Sequence, residues 1–161
     1  MDMNWKYITE IWRPLHQYGK YDGITVSPEI RDSWTRSEKY GVNPFKPYCD
    51  VILSEEELEE RRARNRVLLA EASGIMEDLH KFTEGSGFAF YLTDNEGYCL
   101  LSMGDSDALD FLTRANLTEG SNWLEEVMGT NSNSLAMVLR KPVQVFGYEH
   151  YCLCSAFATC S

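Results

Sequence analysis

Apolar residues recur at three- and four-residue steps between Ser54 and Phe82. Leu58, Leu68, Leu69, Ala72, Ile75, Met76, Leu79 and Phe82 share one stripe, with Asn65 among them. That period belongs to an amphipathic helix. Ser54 and Glu57 make a capping box at its start, and Gly85-Ser86-Gly87 ends it. One long helix is therefore expected from Ser54 to about Phe82. Its first half, Glu55 to Arg66, is too charged for a core. Glu57 with Arg61 and Glu60 with Arg64 stand at i,i+4, as on a solvated face. A helix of this length on a small domain is expected to pair with its copy in a dimer. His80, near the helix end, reads as a solvated or capping residue.

The period then changes from 3.6 to 2. Phe88 to Thr93 reads as a strand, Asp94-Asn95-Glu96-Gly97 as a hairpin turn, and Tyr98 to Ser102 as the partner strand. Phe88, Phe90 and Leu92 point to one face, Ala89 and Tyr91 to the other. Before the long helix, Trp5, Ile8, Trp12 and Leu15 have helical spacing, and Pro14 is expected to stop that helix near residue 13. Gly19 to Gly23 reads as a loop. Ser27-Pro28-Glu29 opens a second helix that Gly41 closes. Asn43-Pro44 and Lys46-Pro47 keep the next segment extended.

After the hairpin, Asp107 to Arg114 reads as a helix capped by Ser106 or Asp105. A helix to about Met128 follows, then a turn at Gly129, a helix from Asn131 to Arg140, and a strand from Pro142 to Phe146. This order gives an α+β fold, an antiparallel sheet with helices beside it. Residues 1–53 are assigned to an N-terminal helical extension. Residues 54–161 are assigned to the domain proper, including its long first helix.

Composition narrows the function classes. The net charge of −10 opposes direct contact with nucleic acid, which needs a basic face. No apolar run is long enough to span a membrane. The start, MDMNWKYITE, lacks the pattern of a signal peptide. A cytoplasmic location is expected, with the five cysteines as thiols or ligands rather than disulfides.

Several motifs together resemble one family. They are Ser33-Trp34-x-Arg36, Tyr40-Gly41-Val42-x-Pro44, Ser54-Glu55-Glu56-Glu57-Leu58 and Asn65-Arg66-x-Leu68-Leu69. Further along come Gly120-x-x-Trp123-x-Glu125-Glu126-x-x-Gly129-Thr130-Asn131, then Pro142-Val143-Gln144-Val145-Phe146-Gly147-x-Glu149-His150-Tyr151-Cys152, and Thr159-Cys160-Ser161. Over residues 27–161 this resembles the sensor region of acetoin- and dihydroxyacetone-type sigma-54-dependent activators. The resemblance implies a GAF-like, PAS-related domain that binds a small-molecule effector. In the full-length family an ATPase, a DNA-binding domain and sigma-54 RNA polymerase are the downstream partners. No G-x-x-x-x-G-K-[ST] phosphate loop occurs here. The chain is thus expected to be a sensor alone, with a sheet incomplete at its C-terminus. Ser132, Asn133 and Ser134 depart from the small or apolar residues and glycine usual in the family, which implies a different ligand preference.

A GAF-type pocket would be lined by Phe88, Phe90, Tyr91, Trp123, Glu126, Asn131, Tyr148, His150 and Tyr151. Glu126 could accept a ligand hydroxyl or cap a turn. Asn131 could meet the ligand or serve as an N-cap. Gly129 is expected to supply a positive φ or a close backbone approach. A small diol or hydroxyketone follows from the resemblance. A quaternary or methylated amine follows from several aromatics with an acid. A second reading takes His150, Cys152, Cys154 and Cys160 as an iron or zinc site, or as a thiol redox switch. A third is a dimerisation module with no ligand. No catalytic spacing is present, so no enzymatic activity and no organic cofactor are expected.

Overall fold

The computed structural model describes residues 5–161, with the backbone alone for residues 5–9 and Tyr21. The expectations for the Trp5 and Ile8 side chains lie outside the described residues. The chain divides into two compact units, Met1–Pro47 with Trp123–Ser161, and Tyr48–Asn122. This division differs from a boundary at residue 53. The N-terminal elements fold with the C-terminal third, and the hairpin region is a unit of its own.

In the first unit, α1 spans Trp5–Tyr18 and runs through Pro14. A proline inside a helix removes a backbone hydrogen bond, which is why a stop near residue 13 was expected. Ile11, Trp12 and Leu15 are all buried, and burial of that face outweighs the lost bond. The expected loop at Gly19 to Gly23 is instead a tight hairpin of β1 (Lys20–Tyr21) and β2 (Ile24–Thr25). Asp22 and Gly23 both have positive φ, 42° and 81°, the conformation that matches the twist of a two-residue turn. Helix α2 spans Pro28–Lys39, and Ser27 Oγ accepts the Ile30 N–H at its start. Its inner face buries Ile30, Ser33, Trp34 and Ser37.

The second unit opens with α3 (Glu55–Arg64) and α4 (Arg66–Thr83). The single long helix is thus broken at Asn65, where φ is −100° and ψ 17°. Asn65 Nδ2 donates to the Arg61 carbonyl at 2.9 Å, so the side chain competes with the helical ladder. The Ser54–Glu57 capping box is present as expected. On α4 only Met76 is buried, while Leu68, Ile75, Leu79 and Phe82 are exposed along one face. The antiparallel pair is β3 (Ala89–Thr93) with β4 (Cys99–Gly104), its register slipping between Leu92 and Thr93. The Phe88 and Phe90 rings stack at 6.5 Å, as their shared face requires. Helix α5 spans Ser106–Thr113. Asp105 stands at its N-cap but turns its carboxylate away, accepting the Gly85 and Gly87 N–H groups at 3.0 and 2.7 Å.

The first unit resumes with α6 (Glu125–Met128) and α7 (Ser132–Leu139). The strand expected at Pro142 to Phe146 does not form. Val145 makes one antiparallel bridge, to Cys160, with N–H···O distances of 2.8 and 3.0 Å. The ladder stops there because the chain turns through two single 3-10 turns, Gly147–Glu149 and Leu153–Ser155. The fold is α+β, with small antiparallel sheets. No helix among the described residues is long and apolar enough to cross a membrane.

Candidate functional site

The first unit holds an open cleft of about 690 Å³ lined by Trp12, His16, Trp34, Phe45 and Tyr151, with Arg13, Arg31 and Glu38 among its charged groups. Its walls are fixed by one short backbone stretch. Trp12 Nε1 donates to the His150 carbonyl at 2.9 Å, and Trp34 Nε1 donates to the Glu149 carbonyl at 2.8 Å. Buried indoles need such acceptors, so α1 and α2 are both tied to the turn before Tyr151. The His16 ring sits between the two indoles, 4.0 Å from Trp12 and 3.8 Å from Trp34 by centroid. His16 Nε2 lies 3.3 Å from the same His150 carbonyl. A carbonyl only accepts, so Nε2 carries the proton and Nδ1 keeps its lone pair. Burial lowers the His16 pKa to about 4, against a smaller upward pull from that hydrogen bond. The ring is therefore neutral at neutral pH.

The first unit also holds a buried polar network. Arg36 Nε and Nη2 donate to Glu125 Oε2 and Oε1 at 2.6 and 2.8 Å. Ser33 Oγ also donates to Glu125 and lies 2.7 Å from Thr130 Oγ1. Glu125 is 5% exposed. Both carboxylate oxygens are thus occupied, which is what a buried charge requires. Glu126 is expected to accept a ligand hydroxyl or to cap a turn. Its neighbour Glu125 is the acid turned inward, and Glu126 is exposed beside a hollow of about 230 Å³ lined also by Tyr40, Leu124, Glu125, Met137 and Val138. Two adjacent residues on a short helix point about 100° apart, so only one of them faces the core.

Gly129 has φ +66°, and a Cβ there would lie 2.5 Å from Tyr151 Cβ. Both expected reasons for glycine hold at this position. Asn131 caps α7, its Oδ1 accepting the Ser134 N–H at 3.0 Å. Its Nδ2 donates to the Trp123 and Gly129 carbonyls, so its amide is taken up by backbone.

His150 and Cys160 form a pair. His150 Nε2 lies 2.9 Å from Cys160 Sγ, and His150 Nδ1 donates to the Gly147 carbonyl at 3.0 Å. The Ser132 N–H, at the start of α7, points to the same sulfur at 3.4 Å. Burial alone would lower the His150 pKa and raise that of Cys160. The opposite charges and the shared hydrogen bond reverse both, so His150 is raised and Cys160 lowered. The four-residue metal reading is corrected by this geometry. Cys152 Sγ is directed to the Asn43 carbonyl at 3.6 Å and Cys154 Sγ to the Ser155 hydroxyl at 3.8 Å. No group of three or more His, Cys, Asp or Glu residues among the described residues is placed to hold a metal ion.

The nine expected lining residues divide between the units. Phe88, Phe90 and Tyr91 belong with the hairpin, whereas Trp123, Glu126, Asn131, Tyr148, His150 and Tyr151 belong to the first unit. Of the latter, Tyr151 lines the larger cleft, Glu126 the smaller hollow, and Trp123 and His150 are buried. Tyr148 is half-buried. Sequence reasoning missed Trp12, His16, Trp34, Phe45, Arg13 and Arg31. A signal existed for two of them. Trp12 needed a surface to cover, and Trp34 stood in a motif already singled out.

Comparison with known proteins places this chain beside bacterial regulators. It is 29% identical over 152 residues to the acetoin dehydrogenase operon transcriptional activator AcoR of Bacillus subtilis, covering 94% of this chain and 25% of that protein. It is 31% identical over 137 residues to a signal-transduction and transcriptional-control protein of Clostridium beijerinckii, covering 85% and 22%. It is 29% identical over 132 residues to the glycerol metabolism operon regulatory protein of Citrobacter freundii, covering 80% and 20%. The chain therefore spans about a quarter of the length of these curated relatives or less. A chain in the crystal structure of the E. coli DhaR(N)–DhaL complex shares the fold, with a TM-score of 0.75 at 21% identity over 79% of this chain and 43% of that one. No family model matches.

Proposed function

On the premise that this chain is homologous to the sensor region of acetoin- and dihydroxyacetone-type transcriptional activators, we propose that it senses a small molecule for a bacterial sigma-54-dependent regulator. The domain is GAF-like on this reading and works in the cytoplasm. It carries no catalysis of its own. In the full-length regulator an ATPase and a DNA-binding domain follow, and sigma-54 RNA polymerase is the target. The exposed apolar face of α4, Leu68, Ile75, Leu79 and Phe82, supports a homodimer through that helix.

One observation carries the sensor reading into chemistry. The cleft sets two indoles, a neutral imidazole and a phenol side by side, with charged groups of both signs around them. Such sites combine apolar walls with a few polar groups that fix orientation. Two arginines against one glutamate disfavour a quaternary ammonium. A small hydroxyketone or diol suits the neutral His16 Nδ1 and the rim side chains better. An effector would act by binding one conformation of the chain more tightly than another.

Calorimetry and tryptophan-fluorescence titration with acetoin, dihydroxyacetone and choline test this reading. Saturable binding of a hydroxyketone, weakened by Trp34→Leu, is the expected result. Binding of choline alone would reverse the ligand class. Binding of none of the three at millimolar concentration would dismiss a ligand of this size and chemistry.

A further inference from the structure

We propose that Cys160 is a nucleophilic modification site for small soft electrophiles, held ready by His150. Three observations of geometry carry this, and none depends on the sensor reading. Cys160 is the one cysteine of five that is not buried. Its sulfur is 2.9 Å from His150 Nε2, and that ring is aimed by the 3.0 Å hydrogen bond from Nδ1 to the Gly147 carbonyl. The Ser132 N–H at the N-terminus of α7 supplies a second contact to the sulfur. A nucleophile, a base within reach and a third group that orients the base is the arrangement that activates cysteine.

The surroundings favour the charged pair. His150 is 2% exposed and its ring is anchored on both nitrogens. The Glu149 carboxylate adds to the charge that favours the imidazolium, and the helix-start N–H favours the thiolate. Cys99 is the contrast within the same chain. It is fully buried, and burial pushes its thiol up to about 12. The thiolate is the reacting species, so the two cysteines should differ widely in rate.

The reaction with the probe iodoacetamide is a displacement. The Cys160 thiolate donates its electron pair to the methylene carbon, an S–C bond forms, and iodide leaves with the pair of the broken C–I bond. His150 keeps its proton. The product has lost the negative charge that faced His150.

The test is alkylation of the folded 161-residue chain with iodoacetamide from pH 5.5 to 9, followed by peptide mass spectrometry at all five cysteines. Cys160 should react at least about tenfold faster than Cys49, Cys99, Cys152 or Cys154 at neutral pH, because thiolate fraction and access set the rate. Its rate should already be at its plateau where an ordinary thiol is still rising. Cys160→Ser should remove the fast phase. His150→Gln should move the inflection up toward the ordinary thiol range, which a merely structural role for His150 would not do. If that variant does not fold, the pH profile of the unaltered protein decides alone. A Cys160 rate no faster than the buried cysteines, or an inflection at or above that of a free thiol, would overturn the proposal.

Discussion

Arg36 and Glu125, 89 positions apart in the chain, meet as a bidentate ion pair with N···O distances of 2.6 and 2.8 Å. The pair ties α2 to α6. Glu125 is nearly inaccessible, while the Arg36 side chain keeps 30% of its exposure. Removing the arginine would leave a buried carboxylate with only Ser33 to bond. Arg36→Ala should therefore destabilise the protein by about 3 kcal/mol, at the low end for a broken buried pair because Arg36 is partly solvated. Urea denaturation measures this. Glu125→Gln should cost less than Arg36→Ala, since it leaves no unpaired buried charge.

Gly129 is fixed from two directions, by its positive φ and by the Tyr151 side chain over it. Gly129→Ala should cost more than about 2 kcal/mol, because it adds backbone strain to a contact that cannot be accommodated. The double variant with Tyr151→Gly, which removes the clashing Cβ, should unfold at higher urea than the sum of the two single effects predicts. Simple additivity would show that φ alone matters.

In the second unit Asp94 holds the hairpin turn. Its Oδ1 accepts the Glu96 and Tyr98 N–H groups at 2.9 and 3.0 Å, and its Oδ2 accepts Arg61 Nη1 at 2.6 Å. Arg61 in turn lies over the Tyr98 ring, 4.1 Å from its centroid. Asp94 is 3% exposed, so Asp94→Ala strands the turn amides and leaves the Arg61 guanidinium with the exposed Glu96 carboxylate, 3.0 Å from Nη2, as its remaining acidic partner. A loss of about 3 kcal/mol is expected. Amide hydrogen exchange should localise the loss to β3 and β4.

How much of this was legible beforehand follows from the range of the interactions. The capping box at Ser54, the cap at Ser27 and the turn at Asp94 to Gly97 are local, and sequence spacing encodes them directly. The break at Asn65 was harder, because Asn65 fits the apolar stripe and only its own side chain reveals the interruption. Pro14 misled for the opposite reason, since burial of Ile11, Trp12 and Leu15 overrode a local rule. The cleft was the least legible part. Its two indoles come from α1 and α2, more than a hundred positions from the carbonyls of Glu149 and His150 that fix them. Nothing in a single sequence pairs Trp12 with position 150. The choice between Glu125 and Glu126 also rested on a helix only four residues long, too short to display a period.

His16 gives the stability a pH dependence of definite sign. Its folded pKa is about 4, below the ordinary 6.5, chiefly because burial penalises the charged ring. The unfolded chain therefore binds more protons between those two values. Stability is fully present above pH 6.5, falls as pH drops toward 4, and levels off below the folded value. A shift of this size corresponds to at most about 3 kcal/mol, and less in practice because the ring is partly exposed. Urea midpoints between pH 4 and 7 should decline toward acid in the unaltered protein. In His16→Gln the decline should be shallower across that window, with carboxylate protonation as the residual. An equal decline in both proteins would mean that the His16 ring charges without leaving its place between Trp12 and Trp34.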